Sequence, residues 1–220
     1  MCQKGVKMRK LPVYLVLDTS GSMAGEPIEQ VTNGVQMLVS ALRQDPYALE
    51  TAFLSVIEFN STAKQLVPLT ELNAFQSPSL TASGATSFGD ALALVADRSE
   101  QEVAKTTEEV RGDWKPMVFV MTDGNPTDDW QKGWEKFKRQ KWGIIVGCAV
   151  NDGNTDVLQQ VCGDAVVRLS TSDSGAMAAF FKWVSASVST SSQKIDSEMK
   201  ETTGFDELPP PPPEIDIVGL

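Results

Sequence analysis

Short, almost wholly apolar segments recur along the chain and alternate with longer segments in which apolar residues repeat at helical spacing. Strands that are apolar on both faces are typical of a parallel sheet covered by helices on both sides. The pattern therefore predicts a three-layer, doubly wound (Rossmann-like) α/β fold around a mostly parallel sheet. The predicted buried strands are Val13–Leu17, Ala52–Asn60, Pro116–Thr122, Gly143–Val150 and Ala165–Leu169.

One further strand, Lys64–Leu69, is expected at an edge of this sheet. It contains Pro68, which cannot donate a ladder hydrogen bond and therefore suits only an edge strand. Only a short turn separates it from the second strand, and a short connection joins antiparallel strands. We therefore predict one antiparallel edge strand.

Helices are predicted where apolar residues recur every three or four positions. Pro27 fits the first turn of the first helix, because the N–H group that it lacks has no partner inside the helix. Asp45-Pro46 is expected to end that helix. The predicted helices are Glu26–Arg43, a helix from Phe88 that continues to about Arg111, one that begins after Asp128-Asp129, one around Thr155–Val161, and Gly175–Val188.

The first strand ends at Asp18, and further side-chain oxygens follow at alternate positions, on Ser20 and Ser22. Gly21 lets the backbone turn tightly and brings both hydroxyls to one side. A carboxylate and two neutral hydroxyls, with no nitrogen or sulfur ligand nearby, suit a hard divalent cation such as Mg²⁺, Mn²⁺ or Ca²⁺. The alternative interpretation is an ordinary Ser/Gly turn followed by a helix N-cap.

A second aspartate, Asp123, follows the fourth strand in sequence. Ligands of doubly wound sheets bind outside the carboxyl ends of the strands, where the strand order reverses. In the common order 3-2-1-4-5-6, the first and fourth strands are neighbours at that point. The topology therefore predicts that Asp18, the Ser20–Ser22 loop and Asp123 lie in one crevice.

Thr86, in the loop that precedes the helix at Phe88, has two interpretations. It is either the N-cap of that helix or a further ligand in the same crevice. For Asp128-Asp129 we favour a capping role at a positive helix end. For Trp130 we favour the core over the alternative of a contact with a partner.

The sequence DTSGS at residues 18–22 resembles the D-x-S-x-S signature of the metal-ion-dependent adhesion site (MIDAS) in von Willebrand factor A (vWA) domains. The segments EPIEQV, DPYALE, LVPLTEL and TDGNPTDDW resemble the TerY-like branch of that family, which is associated with tellurium-resistance and stress operons. The resemblance extends from about Leu11 to about Val188 and reappears in the proline-rich tail. It implies a vWA fold.

This resemblance also implies a ligand set and a mode of binding. The family's hydroxyl ligands contact the ion directly, one or both aspartates act through water, and an acidic side chain of another protein fills the open position. Mg²⁺ is the expected ion, with Mn²⁺ or Ca²⁺ as alternatives. The segment Ser83-Gly84-Ala85 contains less glycine than many relatives have there. The residues that match the family's ligands are Asp18, Ser20, Ser22, Thr86 and Asp123.

The TerY-like resemblance further implies a role as an intracellular adaptor. The expected partners are a protein that supplies the acidic residue, together with a Ser/Thr kinase and a PP2C-type phosphatase of a tellurium-resistance or stress-response system. Such a system suggests regulation by phosphorylation. The sequence does not identify a phosphorylation site.

Composition narrows the other classes of function. A net charge of −10 disfavours binding to nucleic acid. With no histidine, the chain lacks His-based acid–base and nucleophile systems, and neither nucleotide-binding glycine motif occurs. The alternative of a Mg²⁺-dependent phosphotransfer or phosphatase-like enzyme is disfavoured, because Asp18 lacks a D-x-D partner and a receiver-type acidic doublet. We therefore expect no enzymatic activity.

The organisation along the chain is predicted as three segments. Residues 1–10 are expected to be a flexible basic N-terminus, residues 11–188 the vWA domain, and residues 189–220 a Ser-rich, acidic, Pro-rich tail. Composition favours a flexible tail, whereas the resemblance favours docking on the domain or on a partner. Three cysteines without C-x-x-C spacing, and no apolar leader or membrane-length segment, predict a soluble cytoplasmic protein.

Overall fold

The computed structural model describes residues 9–151, 153–170 and 175–218. Of the predicted flexible N-terminus, only Arg9 and Lys10 fall within these ranges. Seven strands form one sheet in the order β3-β2-β1-β4-β5-β6-β7. The strands are β1 (Leu11–Asp18), β2 (Ala52–Phe59), β3 (Ala63–Glu71), β4 (Met117–Thr122), β5 (Ile144–Val150), β6 (Val166–Leu169) and β7 (Asp216–Ile217).

The sheet is mostly parallel, as predicted. β1 lies near its middle and pairs in parallel with β2 on one side and β4 on the other. β3 pairs antiparallel with β2 at one edge, which confirms the prediction for the strand that contains Pro68. At the other edge, β7 adds a second antiparallel pairing, with β6, that the sequence analysis did not predict.

Helices cover both faces of the sheet and enclose two hydrophobic cores. Successive residues of a strand point to opposite faces, so Val13 and Leu15 of β1 enter one core while Tyr14 and Val16 enter the other. The first core packs against α1 (Glu26–Gln44), α2 (Pro46–Thr51) and α6 (Ala176–Glu198). The second packs against α3 (Phe88–Glu102), α4 (Trp130–Phe137) and α5 (Thr155–Cys162).

The helix that begins at Phe88 is shorter than predicted. α3 ends at Glu102 and does not continue to Arg111. The loop that follows is closed by Asp113, whose carboxylate accepts the Ala104 N–H at 2.9 Å and whose own N–H donates to the Ala104 carbonyl at 2.8 Å. These contacts satisfy the backbone where the next helical turn would have to form.

The last helix is longer than predicted, so the end at Val188 was wrong. α6 continues to Glu198 through the serine-rich segment. Ser187 and Ser192 are fully buried, and the Ser187 hydroxyl donates to the Trp183 carbonyl at 2.9 Å. Serines on the inner face occupy little volume, which is compatible with a close-packed helix, although among the described residues the buried hydroxyls of Ser191 and Ser192 have no hydrogen-bond partner.

The proline-rich tail docks on the domain, so the expectation of a flexible tail from composition was wrong. The indole N–H of Trp183 donates to the Pro209 carbonyl at 2.7 Å. Leu208 and Ile215 are buried in the first core. The tail then reaches the sheet edge, where the backbone of Asp216 in β7 pairs with the backbone of Arg168 in β6. The final two residues lie outside the described residues.

Candidate functional site

Three loops meet at the carboxyl edge of the sheet, above β1 and β4. The first loop follows Asp18, the last residue of β1, and the third follows Thr122, the last residue of β4. The second loop precedes α3 and contains Thr86. The parallel pairing of β1 with β4 brings the first and third loops side by side, as the predicted strand order requires.

Side-chain oxygens of the first and third loops form a continuous chain of contacts. The hydroxyl oxygens of Ser20 and Ser22 are 3.1 Å apart. The Ser22 hydroxyl donates to Oδ1 of Asp123 at 2.8 Å, across 101 residues of sequence. Ser20 is buried and Ser22 is exposed, so the chain of oxygens leads from the interior to the surface.

Asp18 is fully buried at the inner end of this site. Its carboxylate accepts the Ser20 N–H at 2.8 Å and the Thr122 hydroxyl at 2.5 Å. Burial raises the pKa of Asp18, the hydrogen bonds from Ser20 and Thr122 oppose that rise, and the charge of Asp123 adds to it. Within the described residues, no ion pair neutralises either aspartate.

The second loop is held against the third by backbone and hydroxyl contacts. The Thr86 N–H donates to the Thr127 hydroxyl at 3.0 Å, and the Thr127 N–H donates to the Thr86 carbonyl at 2.9 Å. A Cβ atom added at Gly124 would lie 3.5 Å from Oγ1 of Thr86. The Thr86 hydroxyl therefore lies beside the loop that carries Asp123.

Thr86 is not the N-cap of α3. The N-cap is Ser87, which makes no side-chain capping hydrogen bond. Asp128 takes that role from a distance, because its carboxylate accepts the N–H groups of Gly89 at 3.2 Å and Asp90 at 3.1 Å. Thr86 thus remains available as a ligand.

The capping role predicted for Asp128-Asp129 needs a correction. Asp129 is the N-cap of α4 by position but makes no side-chain capping hydrogen bond. Asp128 caps α3, a different helix from the one expected. Trp130 lies in the core as predicted, 9% exposed, with its ring centroid 6.5 Å from that of Phe88.

The first and second loops also approach each other closely through glycine. The Gly21 N–H donates to the Gly84 carbonyl at 3.0 Å. Gly84 has φ of +76°, and a Cβ atom there would lie 2.3 Å from the Ser61 hydroxyl oxygen. Position 84 therefore requires glycine for both its conformation and its surroundings.

Two threonines contribute to the site without having been predicted. Thr122 anchors Asp18, and Thr127 anchors Thr86. Thr122 could have been found from the predicted neighbouring strands, because both strands end level with each other. Nothing in the local sequence around Thr127 indicates its contact with a loop 41 residues earlier.

The donor set fits a hard divalent cation. It offers two carboxylates and hydroxyl oxygens in a region with surplus negative charge, which is the ligand chemistry of Mg²⁺ or Mn²⁺. Within the described residues, no three or more His, Cys, Asp or Glu side chains cluster so that they could hold a metal by themselves. The candidate site differs from such a cluster because most of its donors are hydroxyls.

Comparisons with known proteins bear on the fold and the family. The sequence profile of the von Willebrand factor type A domain matches residues 13–182. The chain belongs to this family. In the part of the chain that the structure describes, no helix has the length and apolar character needed to span a membrane.

Solved vWA structures share the fold at low sequence identity. A von Willebrand factor type A protein from Catenulispora acidiphila is 16% identical with a TM-score of 0.64, over 83% of this chain and 43% of that one. The mussel byssus protein PTMP1, solved with a zinc-occupied MIDAS motif, is 18% identical with a TM-score of 0.57, over 81% of this chain and 46% of that one. The pilus adhesin SpaC from Lactobacillus rhamnosus GG is 13% identical with a TM-score of 0.64, over 84% of this chain and 30% of that one.

Among curated proteins, the chain is 34% identical over 123 residues to the uncharacterized protein sll0103 of Synechocystis sp.. The match covers 53% of this chain and 26% of the relative. The vWA chain thus corresponds to only part of the length of the proteins that it resembles. Members of the vWA family often mediate protein–protein interactions through a metal site.

Proposed function

We propose that this vWA chain is a metal-ion-dependent protein-binding module. The proposed ligands are Asp18, Ser20, Ser22, Thr86 and Asp123, and the proposed ion is Mg²⁺ or Mn²⁺, with Ca²⁺ as the alternative. The observation that carries the proposal is the hydrogen bond from Ser22 to Asp123. It joins two loops at the surface, in a site where the described residues give the aspartates no ion-pair partner. The zinc-occupied MIDAS motif of the mussel protein PTMP1 supports it by analogy.

The five residues have different parts in this proposal. Asp18 supplies negative charge at the buried, inner end of the site, and hydrogen bonds from Ser20 and Thr122 hold it in one orientation. Ser20, Ser22 and Thr86 offer hydroxyl oxygens, which coordinate without adding charge. Asp123 is partly exposed and lies beside Ser22 at the outer side of the site. A bound divalent cation would supply an electrophilic position for an acidic side chain of the partner.

The direction of access follows from burial. Asp18 and Ser20 close the inner side, whereas Ser22 opens to solvent. Among the described residues, the side of Ser22 and Asp123 is therefore open to a partner side chain.

The TerY-like motifs extend the proposal to a biological role. On that resemblance, the protein is an intracellular adaptor in a tellurium-resistance or stress-response system. Its proposed partners include a Ser/Thr kinase and a PP2C-type phosphatase, with phosphorylation as the regulation. A pull-down from the native host, with and without chelator, tests this role. Recovery of neither enzyme in any condition would argue against it.

We also propose that the module has no catalytic activity of its own. The chain has no histidine, and among the described residues the hydrogen bonds to the two aspartates come from Ser20, Ser22 and Thr122, not from a lysine or thiol that could act as a general base or nucleophile. The test is the hydrolysis of a generic phosphate monoester with Mg²⁺. Turnover that Asp18→Ala abolishes would instead favour the phosphatase-like alternative.

Calorimetric titration of Mn²⁺ and Mg²⁺ tests the metal site directly. We expect one weak site in the wild type, because few of its protein ligands are charged. Ser22→Ala should lower the affinity at least tenfold, and Asp18→Ala should abolish binding. Ser83→Ala is the matched control, since Ser83 lies exposed on the second loop and its side chain is outside the donor set.

The result that would overturn the metal-site proposal is equal affinity in the wild type and Asp18→Ala. Circular dichroism of each variant shows whether the fold is retained. A second variant, Asp18→Asn, preserves the shape of the buried side chain and separates the loss of charge from the loss of packing.

A further inference from the structure

The amino edge of the sheet, opposite the candidate metal site, contains a cleft of about 610 Å³. Segments that lead into β1, β4 and β5 surround it, together with the loop after α3. A second cleft of about 550 Å³ adjoins it and shares Arg9, Trp114 and Glu201. The eight residues of β1 separate this edge from the metal site by about 26 Å.

The charged side chains that line the two clefts are mainly cationic, with seven Lys or Arg against three acids, although the whole chain has a net charge of −10. We call this combined surface the cationic cleft. Its acidic residues are already engaged: Glu201 pairs with Lys115 at 2.9 Å, and Glu100 pairs with Lys105 at 3.1 Å. The principal cations are Arg9, Lys105, Arg111, Arg139, Lys141 and Lys200.

Four of these cations have no internal counter-ion. Arg111, Arg139, Lys141 and Lys200 are exposed, and no ion pair involves them within the described residues. The third acid of the cleft, Asp113, accepts the N–H groups of Lys10 and Ala104. The cleft therefore has positive charge that its own acids do not neutralise.

Arg9 is held in place inside the cleft. Its guanidinium carbon lies 3.5 Å from the ring centroid of Trp114, and its Nε–H donates to the Gly112 carbonyl at 2.5 Å. Burial lowers the pKa of Arg9 and the nearby charge of Arg111 lowers it further, whereas the charges of Glu201 and Asp113 raise it. The remaining guanidinium N–H groups are pre-oriented, which favours a planar anionic group such as a carboxylate.

Exposed apolar side chains adjoin these charges. Met199 is 58% exposed beside Lys200, and Val110 is 56% exposed beside Arg111. They are two of the four large hydrophobic residues that are exposed among those described. A surface that combines unpaired cations with exposed apolar side chains is suited to a ligand with acidic and apolar groups.

We propose that the cationic cleft is a second interaction surface, which binds an acidic peptide segment of a partner protein. The segment would supply Asp or Glu carboxylates to Arg9 and the unpaired cations, and an apolar side chain to Met199. Nucleic acid fits less well, since Trp114 is 4% exposed and covered by Arg9 and so offers no face for base stacking.

The test is fluorescence anisotropy of the full chain with a labelled twelve-residue peptide of glutamates around two central leucines. A peptide with glutamine at every glutamate position is the neutral control. We expect saturable binding of the acidic peptide that weakens as salt rises, and no binding of the neutral peptide. Binding should be unchanged in EDTA and in Asp18→Ala, which separates this surface from the proposed metal site.

Charge reversal locates the binding surface. Arg139→Glu combined with Lys141→Glu should weaken binding of the acidic peptide at least tenfold, and adding Arg111→Glu should weaken it further. The matched control is Lys64→Glu combined with Lys182→Glu, which makes the same charge change at exposed positions outside the cleft. Thermal melting confirms that each variant is folded.

Three results would overturn the proposal. The first is the absence of saturable binding. The second is an equal loss of affinity in the control double variant, which would mean that the peptide is attracted by the overall charge and not bound at the cationic cleft. The third concerns a peptide with phosphoserine in place of glutamate. Binding of that peptide alone would replace carboxylates by phosphate as the recognised group.

Discussion

The carboxyl edge of the sheet gathers carboxylates and hydroxyls, whereas the amino edge gathers guanidinium and ammonium groups. At the carboxyl edge, three loops are joined by hydrogen bonds between Ser22 and Asp123 and between Thr86 and Thr127. At the amino edge, cations such as Arg139 and Lys141 extend into solvent without an ion pair among the described residues. The same strands therefore separate two regions of opposite charge.

The two edges also differ in how firmly their side chains are held. Asp18 is buried and accepts two hydrogen bonds, which suits a small ion that needs fixed ligands. The exposed lysines and arginines of the cationic cleft keep their rotamer freedom, which suits a peptide with a less defined shape. The proposed metal site and the proposed peptide site lie at opposite edges of the sheet, so their ligands would not compete for space.

The largest effect should come from removing the packing of the tail in Leu208→Ala combined with Ile215→Ala. Both side chains are buried in the first core, so their loss should lower the free energy of unfolding by about 4 kcal/mol. Urea denaturation measures this. Because the tail also supplies Lys200 and Glu201, the cationic cleft should bind its acidic peptide more weakly, while Mn²⁺ binding is retained.

The control for the tail variant is Met37→Ala, which removes a side chain that is 48% exposed. It should change the free energy of unfolding by less than about 0.5 kcal/mol. If the double variant and this control unfold alike, the tail does not contribute to the stability of the domain.

The next effect is stabilisation by bound metal, which should depend on the carboxyl edge and not on the amino edge. At a free Mn²⁺ concentration of 100 times its Kd, the ion should raise the free energy of unfolding by about 2.7 kcal/mol, because it binds only the folded state. Asp18→Asn should remove this gain. Arg139→Glu combined with Lys141→Glu should keep all of it, and a loss there would mean that the edges are coupled.

A smaller effect is expected from Asp128→Ala, which removes a contact between the loops of the carboxyl edge. The substitution leaves the N–H groups of Gly89 and Asp90 without their acceptor and should cost about 1 kcal/mol. Mn²⁺ affinity should fall with it, since the second and third loops lose one of their links. Asp129→Ala is the matched control, because within the described residues its side chain makes no capping hydrogen bond and pairs with the exposed Lys132. Equal effects of both variants on stability would contradict this role of Asp128.

The smallest effect is a pH dependence near the amino edge. A hydrogen bond from Lys194 lowers the pKa of Glu207 below its ordinary value of 4.5. The stabilisation is therefore present above pH 4.5 and is lost as the pH falls through the lower folded value. Comparing acid unfolding of the wild type and Glu207→Gln measures it, and the two curves should converge at low pH. Curves that run parallel down to unfolding would show that Glu207 makes no such contribution.

Much of the carboxyl edge could be predicted from the sequence, because its signals are local. One apolar run stops at Asp18 and another stops before Asp123. These runs predict the two strands, and their ends predict where the loops begin. The strand order then brings the two aspartates together, as the parallel pairing of β1 and β4 confirms. That these residues bind a metal stays a prediction.

The remaining features depend on contacts between distant segments. Composition suggested a flexible tail because serine and proline bury little surface, yet Trp183 and the sheet edge hold the tail in place. Asp128 caps α3 from 38 or 39 residues away, which no local capping pattern indicates. The cationic cleft is assembled from side chains spread between Arg9 and Lys200, so no short motif contains it.

The central place of β1 has a consequence for biosynthesis. Val13 pairs with Leu54 on one side and with Met117 on the other, so its second neighbour is made about a hundred residues later. At ribosomal rates this interval lasts roughly 5–20 s, during which the β4-facing edge of β1 is open to other strands. Nascent chains that end before Met117 therefore expose the strand that leads into Asp18. The fraction of the protein that reaches the native state should then depend on how well chaperones protect this strand until β4 has been made.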